Sequence, residues 1–186
     1  MTIPAKYAFD PELAAVTQFP TLDSSDIVTR RAQLAAILAQ MPVPDTAGMT
    51  ITDRTVPGPE GVSDVLVRTY VPNAPAAPVG ILDVHGGGFI LGDLETSHAN
   101  NVAMARGVGA VVVSVDYRLA PENPFPAGLE DCYAALSWFA THAAELGVDP
   151  ERIAIHGGSP RRTHQRVPNR QLTPPRTRRS TAGSYI

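Results

Sequence analysis

Two glycine clusters and one charged, proline-rich segment are where this sequence could do chemistry. His85-Gly86-Gly87-Gly88-Phe89 follows the apolar run Val79–Val84. Acyl transfer builds negative charge on a carbonyl oxygen, and preorganised backbone N–H groups stabilise such a charge. Consecutive glycines let a backbone take positive φ and approach a ligand closely. Three glycines alone are equally a plain turn. Gly157-Gly158-Ser159 ends a second apolar run, Arg152–His156. A serine at a strand-to-helix turn flanked by glycines fits a nucleophile elbow, whose crowding excludes larger side chains. Read alone, it is also a common loop tripeptide. Between the two lies Asp116-Tyr117-Arg118-Leu119-Ala120-Pro121-Glu122, followed by Pro124-Phe125-Pro126-Ala127.

These clusters need elements to position them. Helix is expected across Asp10–Gln40, with starts at Asp10-Pro11-Glu12 and Asp23-Ser24-Ser25. Ile27, Arg31, Leu34, Ile37 and Leu38 are spaced as one buried helical face. From Met49 the period falls to two. Strands are expected at Thr50–Val56 and Val65–Val71, turned by Pro57–Gly61. Val79–Val84, Ala110–Val115 and Arg152–His156 read as further strands, the first consistent with burial on both faces. Helices are expected at Ser97–Arg106, stopping at Gly107, and at Gly128–Leu146, stopping at Gly147. The second carries an apolar stripe of Leu129, Cys132, Tyr133, Leu136, Phe139, Ala140 and Ala143. Strands alternating with helices imply a mostly parallel sheet.

Composition narrows the classes. With 44% hydrophobic and 18% charged residues, the 186-residue chain can bury a core. No apolar run approaches the length of a bilayer crossing, and Met1–Gln18 lacks the pattern of a secretory signal. The single cysteine, Cys132, excludes an internal disulfide and fits a reducing compartment, so a cytoplasmic location is expected. On its apolar stripe Cys132 reads as core, and Trp138 as packing. The histidines His98, His142 and His164 lack metal-ligand spacing, and His156 reads as a strand-end residue. The charge is split. Seven arginines and no acid follow Ser159, leaving eight cationic side chains against eighteen acidic ones ahead of it, a formal −10.

The three motifs, in this order and with a helix between each, resemble the hormone-sensitive-lipase family (type IV bacterial esterases) of the α/β-hydrolase superfamily. The resemblance covers Met1–Ser159. It implies an α/β fold, the N-terminal half of an α/β-hydrolase with a mostly parallel sheet, helices on both faces and N-terminal cap helices. The implied organisation is a cap over residues 1–45, a partial core over 46–159 and a basic tail over 160–186. The implied activity is carboxylesterase action on small acyl esters, with no cofactor, metal, membrane or nucleic-acid partner. Carried over by position, Ser159 is the nucleophile, Gly87 and Gly88 supply the oxyanion hole, and His85 and Gly86 shape that loop. Arg118 and Glu122 brace loops rather than react.

The pattern then breaks. Where family members continue with alanine and glycines, this chain has Pro160, Arg161 and Arg162. Proline has no N–H to give the oxyanion, a loss of about 3–4 kcal/mol in comparable hydrolases. The triad order of this superfamily is serine, acid, histidine. Here only His164 follows Ser159, with no Asp or Glu. Activity of this chain is therefore not expected. Residues 160–186, rich in Arg, Pro, Thr and Ser, cannot bury enough surface to fold. The abrupt change suggests a shifted reading frame after Ser159; if no other frame of the coding DNA continues with alanine and glycines, that idea is wrong. Two other readings stay open, a non-catalytic remnant or binding protein and a basic arm for nucleic acid. Without later strands, Ile153–Ile155 would have an unpaired apolar edge, an aggregation hazard.

Overall fold

The computed structural model describes residues 26–158. Helix α1 spans Ile27–Leu38 and is capped by Asp26, whose carboxylate accepts from the Thr29 N–H at 2.8 Å. The helical reading of residues 10–25 lies outside the described residues. The face of Ile27, Arg31, Leu34, Ile37 and Leu38 points inward as its spacing predicts, but every member is only half-buried.

The strands match their sequence runs closely: β1 Met49–Val56, β2 Val65–Pro72, β3 Gly80–Val84, β4 Val111–Asp116 and β5 Ile153–Gly157. They form one sheet in the order β1-β2-β4-β3-β5. β3 pairs in parallel with both β4 and β5, whereas β2 runs antiparallel to β1 and β4. The described sheet is thus mixed, and its parallel part is β4-β3-β5. The short Pro57–Gly61 connection explains the hairpin, because a parallel crossover needs a dozen or more residues.

Two helices cover the sheet, one on each face. α2 (His98–Val108) packs Val102 and Ala105 against Tyr70, Ile81 and Val112. α3 (Ala127–Thr141) packs Ala135 and Phe139 against Val67, Leu82, Val111, Val113 and Val115. Alternate residues of β4 therefore enter opposite cores, which is why its sequence is a continuous β-branched run rather than an alternating one.

Helix ends and faces needed correction. α2 runs past Gly107 and stops at Gly109, which takes φ +67° and donates its N–H to the Ala105 carbonyl at 2.9 Å. The left-handed residue, not the first glycine, sets the stop. α3 ends at Thr141, and a 3₁₀ turn at Ala144–Leu146 carries the chain to Gly147, φ +73°. The buried line of α3 is Ala127, Asp131, Ala135 and Phe139, while Leu129 and Tyr133 are exposed. The cause is an ion pair. Arg118 draws Asp131 inward, which turns the helix about its axis and leaves two of the expected stripe residues facing out. β5 is the edge of the described sheet, and Ile155 is 51% exposed on the α3 side.

Candidate active site

Because β3 and β5 are parallel neighbours, their carboxyl ends emerge side by side, where open α/β sheets bind ligands. Val84 pairs with Gly157, and the Gly158 N–H donates to the Val84 carbonyl at 3.3 Å. A Cβ added at Gly158 would stand 3.6 Å from the Gly86 nitrogen. The turn that leads to Ser159 thus begins against the glycine loop. Ser159 itself, with Pro160 and His164, lies outside the described residues.

The glycine loop has the backbone its sequence requires. Gly87 (φ +139°) and Gly88 (φ +64°) lie where L side chains rarely go, and a Cβ at Gly87 would run into the Leu91 carbonyl. Phe89 follows at φ +66°, a conformation costing a non-glycine residue about 1–3 kcal/mol. The Gly87 carbonyl accepts from the N–H groups of Ile90 and Leu91 at 3.3 and 3.1 Å, and Ala120 donates to the Phe89 carbonyl at 2.9 Å. The N–H groups of Gly87 and Gly88 donate to nothing among the described residues. They are free to meet a ligand oxygen.

His85 is buried beneath this loop. Its ring stacks on Tyr117 at 4.2 Å, the Tyr117 hydroxyl donates to the His85 carbonyl at 2.9 Å, and its Nδ1 sits 2.9 Å from the Gly86 carbonyl. These contacts fix the loop's root. The charged segment braces its surroundings: the Arg118 guanidinium and N–H both reach Asp131, and Glu122 receives Arg31.

Asp116, at the end of β4, is half-buried, and burial pushes its carboxyl pKa up, aided by Asp93 and opposed by His85 and Arg68. A carboxyl whose folded pKa is raised binds its proton more tightly when folded. Its contribution to stability is full below the ordinary carboxylate range and is lost as pH rises through the folded value. Asp116→Asn should therefore raise Tm at pH 7 by a few degrees and leave it unchanged near pH 3. Thermal melts at the two pH values check this, and equal shifts at both would contradict it.

The other singled-out residues have quiet surroundings. Cys132 packs against the core, and burial pushes its thiol up to about 12, so it stays protonated and unreactive. Trp138 packs against the same core and stacks on His142. His98 meets the Tyr70 hydroxyl at 3.0 Å. No group of three or more potential metal ligands occurs among the described residues. No helix among them is long and apolar enough to cross a membrane.

Two features escaped sequence reading. Asp83, in the middle of β3, is fully buried and meets His156 Nδ1 at 2.7 Å, the Asn101 amide at 3.0 Å and the Ser114 hydroxyl at 3.3 Å. Arg31 of α1 reaches two backbone carbonyls as well as Glu122. In the first case the signal was a lone acid within an apolar strand. In the second it was a cation on a face expected to be buried.

Residues 81–160 match the family model of the α/β-hydrolase fold. Carboxylesterase NlhH of Mycobacterium tuberculosis is 49% identical over 116 residues, 60% of this chain and 35% of that protein. An acetyl esterase of Salmonella paratyphi B is 34% identical over 163 residues, 84% of this chain and 49% of its own length. The solved bacterial heroin esterase superposes with a TM-score of 0.71 at 42% identity, over 80% of this chain and 48% of that one. The chain thus spans less than half the length of these relatives. The chain belongs to the hormone-sensitive-lipase-like family of α/β-hydrolases.

Proposed function

We propose that this chain carries the oxyanion and nucleophile portion of a cytoplasmic serine carboxylesterase for small acyl esters, and that the 186-residue chain by itself turns over no ester. In the reaction of the intact site, the Ser159 Oγ would attack the ester carbonyl, with its proton passing to a base. The tetrahedral oxyanion would be held by the Gly87 and Gly88 N–H groups until the alcohol leaves with a proton. Water would then cleave the acyl-serine to acid and free enzyme. No cofactor enters this scheme. His85 and Gly86 shape the loop and take no proton.

The observation that carries the reading is the approach of Gly158 to Gly86, beside a loop whose two glycine N–H groups donate to nothing among the described residues. Inactivity is supported by composition: residues 160–186 hold no Asp or Glu, only His164 could serve as base, and Pro160 cannot donate to the oxyanion. A serine without its base is a poor nucleophile at neutral pH. That favours a second reading, a non-catalytic remnant or binding protein that keeps one wall of the pocket. Hydrolysis of p-nitrophenyl butyrate by the purified chain and by Ser159→Ala separates the readings. Equal rates at background are expected. A Ser159-dependent burst of p-nitrophenol would overturn inactivity while supporting the nucleophile.

A further inference from the structure

We infer that Arg31 is a positioning residue, which couples the seating of helix α1 to the geometry of the oxyanion loop. This rests on reading Gly87 and Gly88 as the oxyanion donors. A single guanidinium ties three segments together. Its Nε–H donates to the Ile90 carbonyl at 2.9 Å, at the foot of the glycine loop. One Nη2–H donates to the Ala120 carbonyl, also at 2.9 Å. Nη1 and Nη2 form a fork on the Glu122 carboxylate at 2.8 and 2.9 Å.

The Ala120 bond matters because of what the same residue does with its other end. The Ala120 N–H donates to the Phe89 carbonyl at 2.9 Å, so Arg31 holds the loop twice, directly at Ile90 and through Ala120 at Phe89. Between these two anchors and Gly87 the chain makes its tightest turn, with Gly87, Gly88 and Phe89 all at positive φ. Such a turn persists only where its surroundings over-determine it. The Arg31–Glu122 pair is partly exposed, and such a pair contributes little on its own. The two carbonyl bonds give it a local role, because they need a planar fork with several donors at fixed angles. Lysine, a single point charge on a flexible stem, cannot supply that fork. α1 in turn buries none of its residues fully, so its seat depends on contacts at its inner face, and Arg31 carries one of them to the loop.

Hydrogen exchange by mass spectrometry on the full chain tests the coupling. The amides to follow are Ile90, Leu91 and Ala120, which are bonded, with β3 and β4 as an internal reference for the fold. Arg31→Met keeps the apolar stem and should speed exchange in fragments covering 86–92 and 117–123 by about tenfold, with β3 and β4 still protected. Arg31→Lys should give nearly the same increase, because charge without the fork does not hold the carbonyls. Glu122→Gln, which leaves both carbonyl bonds in place, should stay within about twofold of the parent. The inference is overturned if α1 loosens in Arg31→Met while 86–92 does not. It is equally overturned if Arg31→Lys restores full protection, or if both Arg31 variants lose protection across β4, since the role is then general stability. None of these readouts depends on ester hydrolysis, so an inactive chain leaves the result readable. A Ser159-independent esterase signal would count against the function without touching the coupling.

Discussion

Replacing residues 160–186 with the corresponding continuation of the mycobacterial carboxylesterase NlhH should convert the chain, proposed to be inert, into an esterase, with kcat/KM rising by at least about 10⁴-fold. The magnitude follows from what the present continuation lacks. Removing the serine or the base of a triad costs about 10⁶ in kcat in a serine hydrolase. A missing oxyanion donor costs about 10²–10³. The two losses overlap, because a donor has little to stabilise when no serine attacks, so they do not multiply, and a floor of about 10⁴, below the cost of the missing base alone, is the safer expectation. Two intermediate variants divide the effect. Pro160→Ala with Arg161→Gly restores an N–H and a small residue after Ser159 but supplies no base, and should gain less than about tenfold. The graft carrying Ser159→Ala should return to background. Initial rates on p-nitrophenyl acetate and butyrate measure all four proteins. A graft that melts cooperatively yet stays inert would refute the placement of the nucleophile at Ser159. A parent chain that matches the graft would refute its proposed inactivity.

Such a graft can be designed because strands and loops were legible in the sequence to within a residue or two. β4 is buried on both faces, so Val111-Val112-Val113-Ser114-Val115 could hardly be anything but an inner strand. The glycine loop was legible because no other residue type tolerates the positive φ found at Gly87 and the carbonyl packed against it. What stayed hidden depends on partners far apart in the chain. α2 offers glycines at 107 and 109, and nothing local says which one turns left-handed. Counting apolar residues on α3 favoured Leu129 and Tyr133 as buried, but Arg118, thirteen residues before Asp131, pulled a charged position into the interior instead. Arg31 finds its carbonyls 59 and 89 residues away. Periodicity reports the mean environment of a face. It does not report the one polar contact that overrides that mean.

Asp83 is the strongest case of such an override, and removing it should destabilise the chain by about 3–5 kcal/mol. The β3 run Gly80-Ile81-Leu82-Asp83-Val84 reads as apolar, yet its acid is fully buried on the α2 side of the sheet. The register explains how it is accommodated. Asp83 stands opposite Ser114 on β4 and opposite His156 on β5, and Asn101 of α2 closes the group from above. Asp83→Ala would leave the Asn101 amide and the Ser114 hydroxyl buried without their shared acceptor, and each such orphan costs about 1–3 kcal/mol. The Asn101 Oδ1 already has no partner among the described residues, so losing the 3.0 Å bond to Asp83 would strip the amide further. Since whole domains are stable by only about 5–15 kcal/mol, that loss is a large fraction of the total. The discriminating variant removes the buried group together: Asp83→Val with Asn101→Val and Ser114→Ala leaves no buried acceptor or donor orphaned, since His156, the remaining partner, has a side chain 43% exposed and can turn to water. It should recover most of the loss, because a buried polar cluster exchanged for packed apolar side chains is often nearly neutral. Urea unfolding of the parent, the single variant and the triple variant measures this. Asp83→Ala within about 1 kcal/mol of the parent would mean that the cluster contributes little, and a triple variant no better than the single one would trace the loss to packing rather than to stranded polar groups.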